Sequence, residues 1–254
     1  MSSTPVPKLE ALKADHTPQA IRRRLADGPR HSYLRDFVYG AIDGAVTTFA
    51  VVAGVVGAGL SPGIIVILGV ANVLADGFSM AVSNFLGTRA EQHVREKLRQ
   101  TEREQILHYP AGEREEVRQI LAGKGFNGDD LDRAVDTITA DIERWIDTML
   151  TDELGVTLQG PNPWRAAWST FIAFVTIGSL PLLVFFYEII AGARLASAFL
   201  WSSLLTGIAF FIVGAVKSRF IGHKWWTSGL ETLAVGGAAA LIAYLVGVLL
   251  HGVA

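Results

Sequence analysis

The 254-residue chain contains no cysteine. That excludes a disulfide scaffold, zinc–thiolate sites and iron–sulfur clusters. Charge is also scarce. Asp, Glu, Lys and Arg make up 18% of the residues, against about 25% in soluble domains. The net charge of −2 excludes a general nucleic-acid binder working through a basic surface. Residues 1–32 are polar and rich in proline, with a run Arg22, Arg23, Arg24. They lack an apolar stretch of about 7–15 residues, so no cleavable signal peptide is expected. A short amphipathic helix over Pro18–Asp27 and a disordered tail are both compatible with that composition.

Long uncharged runs take the place of charge. There are 22 uncharged residues between Arg165 and Glu188, 22 between Arg194 and Lys217, and 19 between Glu231 and His251. Each is long enough to cross a hydrocarbon core of about 30 Å. A further 32 uncharged residues separate Asp43 from Asp76. These are too many for one ordinary span, and Gly57–Gly63, containing Pro62, reads as a turn. The expected spans are therefore about 35–59, 62–88, 164–190, 194–216 and 228–251, with a kink at Pro181, which lacks a backbone donor. A simple soluble domain is excluded.

The remaining charge is concentrated. Segment 89–160 holds 16 of the 24 acidic and 10 of the 22 basic residues, a net charge of −6 against +4 for the rest. It predicts three helices. The first runs on from the second span to His108, the second covers about 111–122, and the third runs from an Asn127 N-cap to Glu153. The fold class is all-α: a polytopic membrane protein with five transmembrane helices and a cytoplasmic three-helix metal-binding insert. Its divisions are a tail (1–32), spans one and two (33–88), the insert (89–160) and spans three to five (161–254). Arg22, Arg23, Arg24, Arg30 and Arg35, with Lys217, Arg219 and Lys224, lie on one side of a five-span chain. The positive-inside rule makes that side, the N-terminus and the insert cytoplasmic. Trp164, Trp168, Trp225 and Trp226 fall where an interfacial belt is expected.

Two groups of residues carry chemistry. In the insert, Val94, Leu98 and Glu102 follow one stripe, with Gln105 next. Glu113 and Glu116 share a face with Ile120. Leu131, Val135, Ile138, Ile142, Trp145 and Met149 form a third stripe that Glu153 extends. Carboxylates thus fall on faces that should meet. Buried and unpaired they are costly, and a divalent cation would neutralise them. Oxygen ligands suit Mg²⁺, Ca²⁺, Mn²⁺ and Fe²⁺, and the Met149 thioether favours a transition metal. The plainer reading is an ordinary charged helical domain. In the spans, an Asp at mid-helix costs roughly 2.5–3.5 kcal/mol, so Asp43 and Asp76 should face protein, water or an ion. Asp36 and Asp43 share one face, and Asn72, Asp76, Met80 and Asn84 step by four along the next span. Facing each other, these stripes would make a cation or proton pathway; the plainer reading is hydrogen bonding between helices. Gly40 with Gly44, and Gly236 with Ala240, suit tight packing or a dimer seam. An aspartyl protease built on Asp43 and Asp76 would need a catalytic motif that the sequence lacks.

The run Asp36-Phe-Val-Tyr-Gly40-Ala-Ile-Asp43-Gly44-Ala-Val-Thr-Thr-Phe49, followed by Ala71-Asn-Val-Leu-Ala-Asp76-Gly77-Phe-Ser79-Met80 and Asn84-Phe-Leu-Gly-Thr-Arg-Ala-Glu91, resembles the vacuolar iron transporter family over about residues 33–251. The resemblance implies a homodimer that moves Fe²⁺, and often Mn²⁺, out of the cytosol in exchange for protons, with no permanent cofactor. It implies a path between subunits that uses Asp43 and Met80, and metal collection at Glu102, Glu113, Glu116, Met149 and Glu153. Gln105 and Asn72 depart from the acids expected at those positions, and Glu104 or Asp152 are candidate substitutes, with helix phase against Glu104 on the same face. A manganese-selective exporter and a membrane-anchored sensor are the rival expectations. Without an organellar targeting segment and with Ala/Gly/Arg-rich usage, a bacterial inner membrane is expected.

Overall fold

In a computed structural model of the chain, residues 6–27, 31–192, 195 and 197–251 are described. Arg30 and Arg194, used above for orientation and span limits, lie outside them. The chain divides into two units, Met1–Ser32 and Tyr33–Ala254. The first contains helices α1 (Val6–Asp15) and α2 (Pro18–Asp27). Arg22, Arg23 and Arg24 are exposed on α2.

The second unit is helical throughout, with no strand among its described residues. Five helical stretches are long and apolar enough to cross a membrane. They are α3 (Leu34–Gly57), the first part of α4 (Pro62–His108), α8 with α9 (Pro163–Gly178 and Leu183–Ala191), α10 (Ala198–Ile221) and α11 (Trp225–Leu249). The chain is a multi-pass membrane protein.

The turn between α3 and α4 falls where the glycine run and Pro62 place it, with Gly59 at φ +71°. The third span breaks at Pro181, where a 3₁₀ turn (Leu180–Leu182) separates α8 from α9. The freed geometry is used: buried Ser202 on α10 donates to the Pro181 carbonyl at 2.7 Å. Span five carries Glu231, which pairs with Lys217 of α10 at 3.2 Å. All four tryptophans of the expected belt are exposed, at the starts of α8 and α11.

Helix α3 packs on α8, α11, α10 and α4. Its small residues make this possible. A Cβ at Gly44 would lie 2.6 Å from the Phe174 carbonyl oxygen of α8, and one at Gly40 would collide with the Thr170 carbonyl. Gly236 is filled by the Phe210 ring. These small residues thus serve packing within one chain. The central core comprises Ala45, Phe49, Val52, Ile65, Val73, Leu182 and Phe210. Tyr39 and Asp43 remain on an exposed side of α3.

In the insert, α4 continues unbroken to His108, and Pro110 starts α5 (Pro110–Gly123). The expected third helix is divided. It consists of α6 (Gly128–Thr139), α7 (Ile142–Thr148) and a π-helical turn (Met149–Glu153). Asn127 occupies the N-cap position of α6 without a side-chain bond. Asp141 explains the break. Its carboxylate accepts from the Arg144 backbone N–H at 2.8 Å and starts a new helix. The Arg144 guanidinium meanwhile takes the Thr137 carbonyl at 2.6 Å. The apolar stripe survives the break: Val135, Trp145 and Met149 are buried together with Ile106, Val117 and Leu121.

Candidate metal-handling residues of the insert and the spans

The insert site begins with α4, α5 and the π turn, which pack against one another. Glu102 of α4 and Glu113 of α5 are only 4% and 6% exposed. Each has one carboxylate oxygen, Oε2, buried without a hydrogen-bond partner. Such oxygens are costly unless something positive reaches them. Glu116 and Glu153 are exposed but close enough to repel both. Burial, then repulsion from Glu116, Glu102 and Glu153, pushes the Glu113 carboxyl up to about 7. Burial and the neighbouring carboxylates also raise Glu102 and Glu153. These four carboxylates thus lie near enough to interact.

Several basic residues of the insert pair with other acids. Arg99 meets Glu143 and Asp147, and Arg103 also meets Glu143. Arg114 meets Asp136, Arg118 meets Asp132, and Lys124 meets Asp152. These pairs neutralise acids outside the four-glutamate group. Asp152 is thereby committed elsewhere, and Glu104 accepts from Gln100 at 3.1 Å. Neither is gathered into the cluster. Gln105 is exposed. Met149 is fully buried in the apolar core and opens the π turn that ends at Glu153. Among the described residues no three His, Asp or Glu side chains form a ready-made cage for an ion. Val94, expected on the buried stripe, is exposed.

In the spans, the stripes on α3 and α4 lie side by side. Asn84 donates to Asp36 Oδ1 at 2.9 Å. Asn72 donates to the Thr47 and Thr48 hydroxyls at 3.4 and 3.5 Å. Asp43 and Asp76, both exposed in the single chain, are near enough to repel each other. Met80, half-buried, follows one turn after Asp76. Thr47, Thr48 and Thr170 are polar partners that sequence reasoning missed. A threonine inside an apolar run carries little signal, since its hydroxyl ordinarily bonds a carbonyl of its own helix.

The sequence model of the VIT family matches residues 34–248, which include both groups of residues. The chain is 32% identical over 255 residues to a vacuolar iron transporter of Toxoplasma gondii, covering 96% of this chain and 84% of that one. It is 34% identical over 214 residues to vacuolar iron transporter 1 of Arabidopsis thaliana, covering 83% of each. A vacuolar iron transporter of Centaurea cyanus is also 34% identical, over 215 residues, with 83% and 85% covered. A polytopic helical chain with paired intramembrane acids and an acidic helical insert, matched over these lengths, belongs to the VIT family, a transporter family and not a class of enzyme.

Proposed function

We propose that the protein moves ferrous iron, and manganese on the same scaffold, out of the cytosol in exchange for protons. The carrying observation is that α4 links both groups: it bears Asn72, Asp76, Met80 and Asn84 in the membrane and Glu102 in the insert. Glu102, Glu113, Glu116 and Glu153 gather the cation on the cytoplasmic side, and small shifts close the carboxylates around it. Met149 contributes a soft donor once the π turn adjusts. The Glu113 carboxyl, pushed up to about 7, is partly protonated near neutral pH, so metal capture there releases a proton.

From the insert the ion reaches Asp36 and then Asp43, Asp76 and Met80. Two exposed carboxylates in a membrane span would together cost about 5–7 kcal/mol against lipid. A second copy of the chain laid over Asp43 and Tyr39 removes that cost and encloses the path, which makes the working unit a homodimer. Asn72 contributes an amide oxygen without charge. The relatives' names place those proteins at the vacuole; for this chain a bacterial inner membrane is proposed.

The test is metal uptake and lumenal pH followed together in proteoliposomes, with Fe²⁺ under anaerobic conditions compared with Mn²⁺. The expected result is metal flux with opposite proton movement, reduced at least about tenfold by Asp43→Ala. Metal flux without a pH change would remove the proton coupling. Metal binding to the full-length protein with no flux would replace transport by sensing.

A further inference from the structure

We infer that Asn84 is a positioning residue that holds Asp36 as a charged stop for the cation at the insert-side end of the membrane path; this rests on the transport reading. The Asn84 amide nitrogen donates to Asp36 Oδ1 at 2.9 Å and to Thr170 Oγ1 at 2.8 Å. Its carbonyl accepts from Thr88 Oγ1 at 3.3 Å. Both amide hydrogens are thus used. Thr170 passes its own proton to the Ala166 carbonyl at 3.1 Å, which leaves its oxygen to receive Asn84. Thr88 and Thr170 are buried. An ionised carboxylate only accepts, so the network also fixes which way the amide faces. At this one level α3, α4 and α8 are tied together through a single side chain.

The donor's neutrality gives this arrangement its chemical meaning. A lysine or arginine in place of Asn84 would orient Asp36 but cancel its charge and compete with an arriving cation. An amide orients the carboxylate and leaves the charge available. The nearest basic neighbour in sequence, Arg35, lies over the Tyr39 ring, 5.4 Å from its centre. Asp36 precedes Asp43 by seven residues on α3, and Asn84 follows Asp76 by eight on α4, about 11 Å along each helix. The latch therefore sits two turns before the central acids, as a preceding stop requires.

The experiment is metal uptake in proteoliposomes by the full-length wild type and by Asn84→Leu, which keeps the shape, adds no charge and removes the donor. Asn84→Ala and Thr170→Val are measured alongside, each also in an Asp36→Asn background. The expected result is a rise in KM of about fivefold to tenfold for both Asn84 variants, with the maximal rate within about twofold of wild type. Thr170→Val gives a smaller rise. In the Asp36→Asn background the Asn84 variants change nothing further, because their effect passes through Asp36. An unchanged KM in Asn84→Leu, or effects that add in full to Asp36→Asn, overturns the positioning role while transport stands. Absence of flux in wild type overturns the transport reading and this role together.

Discussion

Glu113 is the residue whose environment makes the strongest demand. It sits almost out of water, with one oxygen unpartnered and three carboxylates nearby. The folded protein therefore binds its proton more tightly than the unfolded chain does. Its contribution to stability is fully present below about pH 4.5, where both states are protonated, and is lost as pH rises towards about 7. In metal-free protein, Glu113→Gln should flatten this loss. It should exceed wild type at pH 8 by roughly 3 kcal/mol at most and match it near pH 4.5. Unfolding in detergent across that range checks it, and equal pH slopes for the two proteins would contradict it. Added Mn²⁺ should stabilise wild type more than the variant. Helical periodicity makes Glu102 and Glu113 legible by putting them on inward faces, while Glu116 and Glu153 stay exposed beside them. It could not reveal that Asp152 is taken by Lys124, or that Val94 faces outward, since both depend on how far each helix turns once it packs.

Among the elements, the seam between α3 and α8 leaves little room for change. Backbone faces backbone at Gly44, and the Phe174 carbonyl cannot move aside as a flexible side chain could. Gly44→Ala is expected to destabilise by about 1–3 kcal/mol through overpacking, read as a lowered melting temperature of the purified protein. An unchanged melting temperature would show that the seam can relax. The five spans, the turn at Pro62 and the break at Pro181 could be read from run length and proline position, because lipid leaves few alternatives to a helix. The division of the last insert helix could not. It depends on Asp141 capping Arg144 and on Arg144 reaching back to Thr137, and no periodicity records these bonds. The π turn is equally hidden, since Met149 and Glu153 fit an α-helical stripe as well as a π one.

At the scale of the molecule, the exposed side of α3 presents Tyr39 and Asp43 to whatever surrounds the single chain. If a second copy covers it, the natural absence of cysteine becomes an experimental convenience. Tyr39→Cys and Ala50→Cys, the latter half-buried and seven residues after Asp43 on the same side of α3, should each, as the sole thiol, cross-link into dimers in native membranes. A cysteine at Ile190, exposed on α9, should remain monomeric. Cross-linking at Ile190 and at neither α3 site would move the interface elsewhere. One further property belongs to the molecule as a whole. Helix α4 runs 47 residues from Pro62 to His108, about 70 Å, with no proline inside it. Glu102 and Asp76 stand on the same rigid shaft, some 39 Å apart at about 1.5 Å per residue. A rotation of about 5° around the membrane end would sweep Glu102 through roughly 3 Å at that radius. Under the proposed function, closing the carboxylates on an ion tilts α4 as a whole, with the lever arm set by helix length.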